Sequence, residues 1–212
     1  MRIKWHGHSC FEISGKVTVL TDPHDGGSIG LAAPKASPDV ATVSHEHYDH
    51  NAVGVLKGKP EIVRGAGKHK VKGVEILGVE TCHDEKGGEK RGKNTVFVIS
   101  MDGVRIAHVG DLGHIPTDAQ AAQIGDVDVL MVPVGGVYTL DAAGALATIA
   151  KLKPKVVVPM HYHVGGLKLG IARLSDFTGK LAKGVAVREV GNSIDFEADD
   201  LPEKMEVWTF AL

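Results

Sequence analysis

The chain has 212 residues, 43% hydrophobic and 24% charged, which is enough to bury one full core and excludes a disordered or fibrous protein. A formal net charge of -2 supplies no global basic field to hold nucleic acid by its phosphates. Twelve histidines stand beside only two cysteines, Cys10 and Cys82. This excludes a disulfide framework, points to a reducing compartment, and favours chemistry that uses imidazole.

The first third reads as β-structure. Residues 2–5, 10–13 and 17–21 are short runs separated by Gly7 and by Ser14-Gly15-Lys16, a hairpin turn. A Gly-, Pro- and Ser-rich loop spans 23–38, followed by a strand over 39–44, a polar block over 45–51 and one helical turn over 52–56. Residues 61–64, 73–79, 95–101 and 104–109 are again strand-like, the last two joined by a turn at Met101-Asp102-Gly103. Helix and strand then alternate: helix 117–124 with Thr117 as N-cap, strand 127–132, helix 141–152 stopped by Pro154, strand 156–159, helix 171–181 and strand 185–190. Nothing repeats and no linker divides the chain. One domain over residues 1–212 is therefore expected, with two sheets covered by helices. No stretch reaches the roughly 18 apolar residues of a bilayer span, and no signal-type apolar run opens the chain. A soluble, cytoplasmic protein without membrane or nucleic-acid partners is the expectation.

The block His45-Glu46-His47-Tyr48-Asp49-His50 carries the strongest chemical signal. It places four potential metal ligands within six residues, directly after an apolar strand. A loop leaving a strand end turns several side chains toward one point, and ligands so placed can be shared by two neighbouring cations: His45 and His47 to one, Asp49 and His50 to the other. The bland alternative is a solvated polar loop. The helical zinc-protease pattern fails, because the residue four after His45 is Asp49. Further ligands must come from other strand ends, and candidates stand there: Cys82-His83-Asp84 after strand 73–81, Gly110-Asp111 after 104–109, and His161 after the strand that begins at Val156. Sites in α/β folds gather outside the carboxyl ends of strands. Along an extended strand Cys82 points away from His83, so it reads as core rather than as ligand or reactive thiol.

This pattern, H-x-H-x-D-H followed by a single His, Gly-Asp and a late His, resembles the metallo-beta-lactamase superfamily over nearly the whole chain. It most resembles the small branch of L-ascorbate-6-phosphate lactonase-like, metal-dependent hydrolases. The further matching motifs are Trp5-His6-Gly7-His8-Ser9-Cys10-Phe11, Leu20-Thr21-Asp22-Pro23, Arg91-Gly92-Lys93-Asn94, His108-Val109-Gly110-Asp111 and Val158-Pro159-Met160-His161-Tyr162. The resemblance implies an α/β (α+β) fold, a four-layer αββα sandwich with a two-metal site along one edge. It implies that His45, His47 and His83 hold one metal, that Asp49, His50 and His161 hold the other, that Asp111 bridges them, and that Asp22 orients a ligand histidine from behind. An ordinary Asp-Pro turn is the alternative for Asp22.

Imidazole-rich shells with some carboxylate suit two divalent ions such as Zn2+, with Mn2+ or Fe2+ also accommodated. Such ions generate a hydroxide near neutral pH and polarise a carbonyl or phosphoryl oxygen. No G-x-S-x-G nucleophile is present. The expected activity is hydrolysis of an ester-like bond (lactone, carboxylic ester or phosphoester) by a metal-bridging hydroxide. Asp49 orients it, and His8 is the candidate for leaving-group protonation; a surface histidine is the alternative for His8. Tyr138 and His163, beside strand ends, are candidates to line the pocket. The Gly-rich basic run over residues 86–93 could steer a small anionic substrate, the alternative being a mobile solvated hairpin. Residues 65–68 do not form a phosphate loop, since Ile62 stands where Gly is required and His69 where Ser or Thr is required. The chain has no room for the inserted domain of the family's RNA-processing nucleases or the helical domain of glyoxalase II-type thioesterases. The di-iron redox branch usually replaces the block's second His with Glu, and here it is His47, which favours hydrolysis. The rival readings are an iron-dependent oxidoreductase or oxygenase on the same fold, and a non-catalytic metal-binding module.

Overall fold

The computed structural model describes residues 1–212. Fourteen strands make two sheets. The first contains β1 (Arg2–Trp5), β2 (Phe11–Ser14), β3 (Thr18–Thr21), β4 (Val40–Val43), β5 (Glu61–Arg64) and β13 (Ser193–Asp195), in the order β13-β1-β2-β3-β4-β5. The second contains β6 (Gly67–Val71), β7 (Val74–Cys82), β8 (Lys93–Met101), β9 (Val104–His108), β10 (Val129–Pro133), β11 (Val156–Met160), β12 (Ala186–Gly191) and β14 (Glu206–Phe210), in the order β12-β14-β11-β10-β9-β8-β7-β6.

Period-2 alternation decides which face each strand buries. Ile3, Trp5, Phe11, Ile13, Val19 and Val40 point inward and join Val96, Val98, Ile106, Met131 and Val158 of the second sheet in one core cluster. The residues between them on the first sheet, Leu20 and Ala41, point outward with Cys10 and are covered by Ala36 and Leu56.

Three helices serve the second sheet: α1 (Asp118–Ile124) packs on β7, α2 (Ala142–Leu152) on β10, and α3 (Leu174–Thr178) on α2. Thr117 caps α1 through a reciprocal bond with Gln120, and Asp141 caps α2 through the Gly144 amide. The four-layer sandwich is therefore lopsided. The outer layer on the first sheet is the 22–38 loop with a single 3-10 turn, Val53–Val55, in place of long helices.

Two expectations change. Helix 171–181 contracts to five residues, because the Ala172 amide bonds to the Gly135 carbonyl and His163 bridges Arg173, both holding the chain extended, while Gly179 ends the helix. Strands β6, β13 and β14 were not foreseen. The first two are short and largely exposed, and β14 lies between β12 and β11 with four of its five residues buried.

Strand direction gathers the site. β1, β3 and β4 run the same way in the first sheet, as do β7, β9, β10 and β11 in the second. Their carboxyl ends meet along one edge of the sandwich. The seam there is closed by backbone bonds from Thr95 to the Ser44 carbonyl (2.9 Å) and from His161 to the His8 carbonyl (3.3 Å).

Candidate metal centre

Asp111 is the centre of the cluster. It lies three residues beyond His108, the end of β9, and is 2% exposed. Its amide donates to the Asn94 side-chain oxygen at 3.0 Å, and Gly110, at a φ of +57°, lets the backbone approach Asn94 and Ser44 so closely that a Cβ would strike both. Around its carboxylate stand His83 Nε2 at 3.2 Å, His161 Nε2 at 3.3 Å, His50 Nε2 at 3.3 Å and His45 Nε2 at 3.9 Å. None of these approaches is an aligned hydrogen bond, and His45 Nε2, His50 Nε2 and Asp111 Oδ1 are buried without a partner. Buried polar atoms are rarely left so. Two donors bound to one tetrahedral ion at about 2.0–2.2 Å stand roughly 3.3–3.6 Å apart, which is close to the spacing observed.

Three groups have ligand atoms within 4.8 Å of one another: His45, His47 and His83; His8, Asp49, His50 and His161; and, behind them, Asp22, His45 and His50; the Asp111 carboxylate stands among them. Every residue expected from the sequence to hold metal is thus in the cluster. His47 is exposed at the mouth and the others are buried. Asp22, just past β3, accepts from the Ser44 amide (2.8 Å), the Ser44 hydroxyl (2.6 Å) and His50 Nδ1 (2.9 Å). It turns His50 Nε2 toward Asp111, the device by which a carboxylate behind a ligand histidine fixes its tautomer.

His8 corrects the surface alternative. It is 1% exposed, its ring centroid lies 4.1 Å from that of His161, and its Nε2 is 3.2 Å from Asp49 Oδ2. The Trp5 indole donates to its carbonyl at 3.1 Å, holding a φ of +54° that a non-glycine residue seldom adopts. Asp22 and His161 also have positive φ, at 39° and 52°. Such conformations concentrate at functional sites.

Cys82 is half-buried and outside the core cluster, so it is neither core nor ligand. Tyr138 lines a cavity of about 300 Å³ with His47, Asp49, His83, Asp111 and His161, whereas His163 is not on its wall. Ser44, Asp84 and Asn94 acquire roles the sequence reading did not give them. The one available signal was Asn94, one of only three asparagines in the chain.

Burial, with the nearby His161, pushes the His8 imidazole down to about 3, and burial with the His50 charge does the same for His45. His50 moves the other way: burial opposes its charge, but Asp111 and Asp22 outweigh burial and raise it well above the ordinary value. Burial raises the Asp49 and Asp111 carboxyls, and the imidazoles facing them more than reverse this. The metal-free chain therefore gains stability from neutral His8 and His45 that is full above the ordinary histidine value near 6.5 and is lost as pH falls toward 3. Below the ordinary histidine value the opposite contribution of His50 is complete, so denaturant unfolding of metal-free protein at pH 6, 5.5 and 5 is expected to show stability falling with pH, His8 and His45 each contributing up to about 1.4 kcal/mol per pH unit. A flat profile would contradict this environment.

Two facing sheets with a histidine and carboxylate cluster at their shared edge define a metal-binding sandwich. The chain belongs to the metallo-beta-lactamase superfamily and, within it, to the UPF0173 metal-dependent hydrolases: a beta-lactamase superfamily domain model matches residues 2–161, and relatives of that name match most of its length. It is 31% identical over 187 residues to the UPF0173 metal-dependent hydrolase of Thermoplasma volcanium, covering 77% of this chain and 84% of that protein. The relative from Pyrococcus furiosus is 30% identical over 192 residues, covering 77% and 85%. Among solved structures, a Thermotoga maritima protein described as a candidate Zn-dependent hydrolase of the metallo-beta-lactamase superfamily superposes with a TM-score of 0.81 at 35% identity, covering 99% of this chain and 97% of that one. No helix is long and apolar enough to cross a membrane.

Proposed function

We propose that the protein is a binuclear metal-dependent hydrolase of small molecules, acting on a lactone, carboxylic ester or phosphoester. The observation that carries this reading is the ring of imidazole nitrogens around the Asp111 carboxylate, with buried donors that have no protein partner. In it His45, His47 and His83 would hold one cation, Asp49, His50 and His161 would hold a second, and Asp111 would serve both. The donor set suits Zn2+, with Mn2+ and Fe2+ as the other candidates. Bound there, the ions supply Lewis acidity and a water acidified toward neutral pH.

The chain's own residues do the rest. Asp22 keeps His50 Nδ1 occupied so that Nε2 faces the cluster. His8 engages Asp49 Oδ2 and leaves Oδ1 to orient the attacking water. Buried and neutral at neutral pH, His8 is better suited to position Asp49 than to donate a proton. Burial of the cluster under the sheet edge excludes bulk water from all but the mouth at His47. The free thiols of Cys10 and Cys82 fit a reducing, cytoplasmic setting.

Elemental analysis of metal-replete protein is expected to give about two cations per chain, and one or none overturns the binuclear reading. His83→Ala should lower that content while the fold persists, and Cys82→Ser should retain it. The opposite pattern would mean that the end of β7 faces the other way. A screen of lactones, phosphodiesters and thioesters with Zn2+, Mn2+ and Fe2+ compared tests the activity.

A further inference from the structure

Asp84, immediately after His83, is 5% exposed, yet none of its lone pairs turns toward the metal-candidate cluster. Oδ1 accepts from the amides of Lys86 (2.8 Å) and Gly88 (3.0 Å), and Oδ2 from those of Lys90 (2.9 Å) and Arg91 (2.8 Å). One carboxylate thus ties down both limbs of the segment that follows it. The run over 86–93 is a braced arch rather than a loose hairpin.

The arch sets two of its four cations at the site. Lys90 and Arg91 line the same 300 Å³ cavity as His83, Asp111 and His161. Two neighbouring basic side chains are neutralised: Lys93 pairs with Glu80 at 2.9 Å and Arg64 with Glu46 at 2.9 Å. Lys90 and Arg91 pair with no carboxylate: Glu85 and Glu89, close by in sequence, are exposed and form no ion pair with them, and the buried Asp84 is consumed by backbone amides. The Arg91 guanidinium lies over the Tyr138 ring, 5.3 Å from its centroid, so a face is held by the ring and the N–H edge is left free. Two unpaired cations beside a centre designed for dications repel it until an anion lies between them.

We propose that Lys90 and Arg91 form an oxyanion subsite, and that the substrate carries a carboxylate or phosphate in addition to the bond that is cleaved. Asp84 is its positioning residue. The proposal rests on the hydrolase reading only for what happens beside the subsite. Arginine's planar fork suits two oxygens of one anionic group, and lysine adds a point charge.

The test compares succinate with butyrate, which have the same carbon count and differ by one carboxylate, by calorimetric titration of the metal-loaded protein. The first carboxylate has the cluster available in both, so the affinity ratio reads the second. Wild-type protein is expected to prefer succinate by about tenfold or more, and Arg91→Ala to reduce that ratio about tenfold, with a smaller loss in Lys90→Ala. Asp84→Asn should lower the ratio at unchanged metal content, a result that mere structural weakening would not give. Lys93→Ala, which removes the same charge from a paired neighbour, should keep the ratio. Equal binding of the two acids by wild type, or an undiminished ratio in both Arg91→Ala and Lys90→Ala, overturns the subsite. A succinate preference that depends on Arg91, in a protein that hydrolyses none of the screened esters, overturns the hydrolase reading and leaves the subsite standing.

Discussion

Replacing Asp111 with Asn is expected to lower hydrolysis by at least ~10²-fold, the scale for losing a principal charge-stabilising group. The substitution keeps size and removes charge. Four imidazoles approach this carboxylate between 3.2 and 3.9 Å, and its backbone is fixed by Asn94 and by the close approach at Gly110. A carboxylate can offer one oxygen to each of two cations and offset their mutual repulsion, which falls steeply with separation. A neutral amide does neither, so occupancy should fall from two cations toward one while the chain stays folded. Asp102→Asn is the control. Asp102 sits in the turn between β8 and β9 at a φ of +51°, a conformation Asn tolerates, and only the Lys16 amide reaches its side chain. Full metal content and full activity in Asp111→Asn would mean that Asp111 is not shared, and that the ligand groups must be redrawn.

Asp22→Ala should cost about 3–5 kcal/mol of folding stability, the range for removing one partner from a buried charged network. It strands the buried Ser44 amide and His50 Nδ1, leaves the Ser44 hydroxyl with His45 Nδ1 as its one side-chain partner, and leaves the His50 charge to Asp111 and the more distant Asp49. It also places Ala at a φ of +39°, where Asn would be better accommodated. Asp22→Asn, which retains an acceptor for the Ser44 amide, should therefore lose less. Denaturant midpoints of the two variants, read with metal content, separate the stability effect from the orientation of His50. A loss under about 1 kcal/mol in Asp22→Ala would place its worth no higher than one ordinary hydrogen bond.

The metal-candidate block was legible because its ligands are contiguous. Residues 45–50 follow one strand, and single histidines or carboxylates at other strand ends needed only the rule that such ends converge. His8 was not legible, because its burial depends on the Trp5 indole and on a left-handed backbone held from outside the turn. Ser44, Asn94 and Asp84 escaped for a related reason: they act through backbone amides, and periodicity carries no trace of such bonds. Asn94 meets Asp111 across 17 residues and Asp22 meets Ser44 across 22. Among the elements, β6 is a polar edge strand whose Gly-Lys-His-Lys-Val sequence has no buried face to announce it. The helix over 171–181 looked longer than it is because its apolar residues serve loop contacts, as where Ile171 packs with Ile29 and Leu167.

The donors at the sandwich edge belong to both sheets: His8 and residues 45–50 extend from the first, and His83, Asp111 and His161 from the second. No strand ladder crosses between those sheets, so ions held there would act as rivets through a seam otherwise closed by packing and a few hydrogen bonds. A ligand that binds only the folded chain adds about 2.7 kcal/mol when present at a hundred times its dissociation constant. The stability of the folded protein would thereby rise with the supply of metal around it. Shortage of the ion would then weaken the joint between the sheets as well as the activity.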